Sequence, residues 1–243
     1  MKNLSSFPSV KFLTSSIATL AISLISSQSA TAATLTLDFT KLTGVTGGSP
    51  GITAVFRAEI PASNLGDITS IVIRDNSNST GGSPGQVSGF DLDAIKLSTN
   101  LINSAADVNS ISALDVFDFS SAGTIFTPGT QRPPTAPDLF GSTGGNINNA
   151  VATLGSFDAN STTDPSLIFG FVSLGDNGQV QFNLTSPVST ANTLYLYIGE
   201  VGDNGELATG EVTIQIPEPT GLAALSFMGI YFAVSRSKKN KSK

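Results

Sequence analysis

The chain has 243 residues and a formal net charge of −6, and it contains no cysteine, histidine or tryptophan. That composition removes disulfides, thiolate nucleophiles and sulfur-ligated metals, and also the imidazole on which Ser-His-Asp and Cys-His mechanisms depend. Carboxylate chemistry remains: a glycosidase-type pair, or a hard oxygen site for a divalent cation.

At the N-terminus, Lys2 and Lys11 precede or open an apolar stretch over 12–25, followed by small residues ending Ala30-Thr31-Ala32. A basic region, a short apolar run and an A-x-A site are the three parts of a secretory signal. The expectation is a signal peptide over 1–32, cut after Ala32 by signal peptidase, with Ala33 as the alternative site.

Residues 33–216 then suffice for one domain with its own core. It carries Lys41, Arg57, Arg74, Lys96 and Arg132 against 17 acidic residues, a net of −12 that the whole-chain value hides. So acidic a surface argues against nucleic acid or anionic membrane as partner and is compatible with divalent cations. Turn residues punctuate the domain about every ten positions, with apolar alternation between, which predicts short antiparallel strands. These are expected over 34–41, 52–60, 68–74, 89–97, 113–119, 166–174, 179–184, 193–198 and 211–215. The fold class expected is all-β, a jelly-roll-like antiparallel β-sandwich of about nine strands, with one short helix around 146–154. Residues 120–145 carry Pro128, Pro133, Pro134 and Pro137, a density that excludes a central strand and predicts a long surface loop. Two short repeats, TGGSPG at 46–51 and 80–85 and GDNG at 175–178 and 202–205, read as turn chemistry.

After the domain come Pro217-Glu218-Pro219, an apolar segment over 221–234, Arg236 and four lysines. Fourteen residues of helix rise about 21 Å, less than the roughly 30 Å of a hydrocarbon core. A basic tail that stays cytoplasmic makes this a brief stop at the membrane. Triplet, short helix and basic cluster together resemble the PEP-CTERM sorting signal of bacterial exosortase substrates. The resemblance covers 217–243 and implies cleavage near the triplet by an exosortase-type enzyme. Release or attachment at the cell surface would follow, often alongside exopolysaccharide.

Candidate chemistry lies in Asp75, Asp91, Asp93, Glu200, Asp203 and Glu206. Asp91 and Asp93 stand two apart on one strand and so share a face, with Phe90, Leu92 and Ala94 expected on the other. The acidic face is then outward or under a loop. Such oxygens suit Ca²⁺; solvated strand and turn residues are the plainer reading. Residues 76–81 have an EF-hand rhythm with Gly81 sixth, but Val87 stands where the twelfth-position Glu belongs. Asp91 with Glu200 is the one pair worth testing as a hydrolase, and no catalytic residue is assigned. The segments 88–97, 172–184 and 199–206 look like parts of secreted bacterial β-sandwich proteins, which supports the fold and no activity. The sequons at Asn78, Asn160 and Asn183 are expected by chance in so Ser/Thr/Asn-rich a chain. Function is therefore expected to be that of an exported, non-catalytic surface or matrix protein. The alternative is a calcium-dependent module binding extracellular polysaccharide.

Overall fold

The computed structural model describes residues 31–63, 66–161 and 169–216. Runs of β-branched and aromatic residues in period two build most of it. The strands are β1 Thr31–Asp38, β2 Thr40–Lys41, β3 Thr46–Gly47, β4 Ile52–Ile60, β5 Asp67–Asp75, β6 Asp91–Ser98 and β7 Thr124–Thr127. They continue with β8 Ser142–Thr143, β9 Asn146–Ile147, β10 Val172–Ser173, β11 Gln179–Ser189, β12 Leu194–Val201 and β13 Ala208–Ile216. One sheet runs β1-β13-β5-β11-β7 and the second β10-β6-β12-β4-β2, with β3 beside β4. From β4 to β7 and from β10 to β13 the chain alternates between the two sheets. The pairs β4–β12, β5–β11 and β6–β10 are antiparallel and nest inside one another.

Between the sheets lies a core of apolar rows, including Ile71 and Ile73 of β5, Val180 and Phe182 of β11, and Leu196 and Ile198 of β12. Each such side chain contributes about 1.5–3 kcal/mol on burial. The second sheet is covered on its outer face as well. Ile102, Ala105 and Val108 pack there on Val55, Ala94 and Tyr197, and the Tyr197 hydroxyl accepts from Ile102 N–H (3.0 Å) and donates to Asn100 C=O (2.7 Å).

Several expectations change. The stretch 34–41 is two strands, because the chain crosses from one sheet to the other at Phe39. Residues 113–119 form no ladder; Leu114, Phe117 and Phe119 pack on the core, with one bridge from Phe117 to Leu184. The proline-rich stretch 120–145 holds β7, which pairs with β11 at the sheet edge, and the short β8. The expected helix shrinks to α1, Asn149–Ala152, capped by the Asn148 side chain accepting from Ala150 N–H. β11 runs past residue 184 through an irregularity between Asn183 and Val188. Of 166–174, β10 is the described strand.

Ala30, the apolar segments 12–25 and 221–234, Pro217, Glu218, Pro219 and Arg236 lie outside the described residues, as does most of the expected signal peptide. Among the described residues no helix is long and apolar enough to cross a membrane.

Candidate functional site: a carboxylate-lined end of the core

Three core-facing rows end in an acid at the same end of the sandwich. In β5 the row Ile71, Ile73 continues to Asp75; in β12 the row Leu196, Ile198 continues to Glu200. Before β13, the row that begins at Ala208 is preceded by Glu206. In the ladders Glu200 stands opposite Leu92 and Ala54, both core residues. Asp75, Glu200 and Glu206 are 3 %, 1 % and 1 % exposed.

Asp75 is fully engaged. One carboxylate oxygen accepts from Ser77 N–H (3.3 Å), Ser77 O–H (2.6 Å) and Phe90 N–H (2.9 Å), and the other from Asn177 N–H (2.9 Å). It ties β5 to the loop before β6 and to the turn before β11. Glu206 accepts from Asp91 N–H (3.3 Å) through Oε2, while its Oε1 has no hydrogen bond. Glu200 Oε1 is likewise buried without a hydrogen-bond partner. Burial first, then the Glu206 charge, pushes the Glu200 carboxyl up to about 9. Burial pushes Glu206 up to about 8 against the opposing pull of the Asp91 amide and Arg132.

Asp91 and Asp93 are both buried, which corrects any solvated reading of that face; of the two placements expected, the loop-covered one is realised. The alternation is also broken. Ile95 opposes Ile198 and Leu92 opposes Glu200, so β6 has one extra residue there, a β-bulge that puts Ala94 on the outer face with Asp93. Gly199 makes this possible: a Cβ there would stand 2.8 Å from the Thr53 methyl and 3.0 Å from Phe157. Asp93 accepts from Thr53 O–H (2.7 Å) and Ala159 N–H (3.0 Å), and burial pushes it up to about 7. Asp91 accepts from the Ser173 hydroxyl, and burial together with Glu206 raises it well above the usual carboxylate range. Asp203 does not join the group; it sits in an exposed turn paired with Lys41.

Two members were not expected. Arg132, from the proline-rich stretch, reaches Asp176 at 3.5 Å and Glu206 at 3.8 Å. Its guanidinium also donates to Gly81 C=O (2.7 Å) and Ser83 C=O (3.1 Å). The second TGGSPG repeat thus wraps Arg132, and Gly82 lies over Glu206, since a Cβ there would fall 1.6 Å from Oε1. Asp176, in the first GDNG turn, is 5 % exposed. Among the described residues no three Asp, Glu, His or Cys side chains form a group that could hold a metal ion.

The site belongs to an all-β, mainly antiparallel protein of two facing sheets. No family model, no curated protein and no solved structure matches the chain.

Proposed function

We propose that this chain is an exported protein, sorted by an exosortase-type enzyme to the cell surface or extracellular matrix, whose cargo is a non-catalytic acidic β-sandwich. The observation that carries the reading is where the folded unit stops. The compact unit spans Ala32–Ile216. It starts at the expected signal-peptidase site and ends immediately before Pro217-Glu218-Pro219. A domain bounded in this way can be trimmed at both junctions without loss of core. The nested strand pairs and the alternation between sheets support the finer reading of the fold as a jelly roll. The non-catalytic reading is supported by Asp91 and Glu200, which at 5 % and 1 % exposed offer a sugar no access to a carboxylate pair. Fractionation of the native organism with mass spectrometry of the termini tests the proposal. The expected product lacks 1–32, ends near residue 217 and lies outside the cytoplasm; an intact chain in the cytosol would overturn it.

A second reading, binding of extracellular polysaccharide, is favoured by a polar groove at the edge of the sandwich. Asp38, Thr40, Arg57 and Glu59 line it, and Tyr195 stands opposite Glu59 in the ladder. Calorimetry with polysaccharide from the same organism tests this, and Glu59→Ala with Tyr195→Ala is expected to remove the heat.

A further inference from the structure

The carboxylate-lined end has more acid than its basic partner can serve. Asp75, Asp91, Asp176, Glu200 and Glu206 are all buried there. Arg132 is the one basic side chain in ion-pair reach of any of them among the described residues. Its guanidinium is spent on two backbone carbonyls and on Asp176, and it stands 3.8 Å from Glu206. Asp75 is saturated by four hydrogen bonds, Asp93 by a hydroxyl and an amide, and Asp203 is turned out to Lys41. Glu200 and Glu206 differ from these: each keeps one buried oxygen, Oε1, with no hydrogen bond. A buried carboxylate oxygen in that condition is costly unless a proton or a cation shares it.

We propose that Glu200 and Glu206 together seat a hard divalent cation of the Ca²⁺ type at this end of the core. Hard cations of this kind take oxygen ligands in irregular geometry, six to eight to an ion. The two glutamates flank the exposed turn over residues 202–205. Among the described residues no third acidic side chain joins the pair, so water and free carbonyls of the turn would have to complete the ligand set. Gly82 lies against Glu206 Oε1 so closely that any side chain there would clash with it. The inference does not rest on the route by which the chain is delivered.

The test uses the full chain, purified in mild detergent and stripped with EDTA. CaCl₂ is titrated in by calorimetry, and thermal unfolding is followed with and without Ca²⁺. The wild type is expected to give saturable heat and a matching rise in Tm. Glu200→Gln and Glu206→Gln, each folded by circular dichroism in EDTA, are expected to weaken Ca²⁺ binding at least tenfold. Asp203→Asn is expected to keep it. Absence of heat and of any Tm change up to about 10 mM Ca²⁺, above the range of extracellular modules, would overturn the proposal. So would a response that survives both glutamine substitutions. Should Glu206→Gln fail to fold, Glu200→Gln decides alone, because its Oε1 holds no other group in place.

Discussion

In β5 the core-facing row Ile71, Ile73 ends on Asp75; in β12 the row Leu196, Ile198 ends on Glu200. The two acids are buried almost equally, yet one collects four hydrogen bonds and the other keeps a bare oxygen. The chain that follows each acid makes the difference. After Asp75 the backbone turns at once, so that Ser77 two residues on offers both its amide and its hydroxyl. After Glu200 the strand runs one residue further; the amide two residues on, Gly202 N–H, is already given to Ile52 C=O at 2.9 Å, and the Asp203 amide is the backbone donor that turns back to the carboxyl. Depth of burial therefore does not decide whether a carboxylate holds a fold together or strains it; the local supply of donors does.

The sharpest way to test that contrast is to remove each acid. Asp75→Ala leaves the Ser77, Phe90 and Asn177 amides without their acceptor inside the core, and a cost of about 3–5 kcal/mol is expected in urea unfolding. A loss below about 1 kcal/mol would break the comparison.

The second expectation concerns pH. Glu200, Glu206 and Asp93 are held at about 9, about 8 and about 7, above the ordinary range of carboxylates. The folded chain thus binds these protons more tightly than the unfolded chain does. Their contribution is full below about pH 4, falls as pH rises, and is gone once pH passes the folded values. One fully shifted group changes stability by about 1.4 kcal/mol per pH unit in that window. Urea midpoints in EDTA are expected to fall steadily from pH 5 to 9, and a flat profile would contradict the buried placement. Asp93→Asn should remove the part of the slope that ends near pH 7. At pH 8, Glu200→Met should move the other way from Asp75→Ala, stabilising the EDTA-treated protein by about 1–3 kcal/mol, because an apolar side chain of similar volume replaces a buried carboxyl whose Oε1 has no hydrogen bond.

Both acids at issue were legible in the sequence as acids; their depth was not. Strand 52–60 is legible to the residue, because Gly51 precedes it and Pro61 closes it, although 53–56 are buried on both faces. In β6 the same logic misplaces Ala94, since one extra residue at Asp93 reverses the alternation and the cause, Gly199, lies a hundred positions away on β12. Residues 113–119 alternate like a strand, but alternation reports burial, and Phe117 and Phe119 are half-buried against the core without a ladder. The four residues of β7 are hidden between Gly123 and Pro128. A signal for the site did exist: Ile71-x-Ile73-x-Asp75 and Leu196-x-Ile198-x-Glu200 each extend an apolar row by one acid on the same face. Arg132 carried no such mark, because only the folded path of the proline-rich stretch brings it over Glu206.

The repeated tetrapeptide Gly-Asp-Asn-Gly supplies the finest version of the comparison, with composition held constant. In the copy over 175–178 the non-glycine residue with positive φ is Asn177, and Asp176 is turned inward, 5 % exposed, against Arg132. In the copy over 202–205 the non-glycine residue with positive φ is Asp203 itself, which faces solvent with Lys41. Asn-Gly chemistry therefore permits the turn in both places but does not set which residue bends, and that choice decides whether the aspartate meets the core or the water. Asp176→Asn should cost about 1–2 kcal/mol, since it takes from the part-buried Arg132 guanidinium the nearer of its two acidic partners. Asp203→Asn should cost under about 0.5 kcal/mol, as expected of an exposed pair screened by salt. Measured side by side in urea, equal costs would mean that the inward turn of Asp176 contributes nothing, and that the Gly81 and Ser83 carbonyls with Glu206 suffice to hold Arg132.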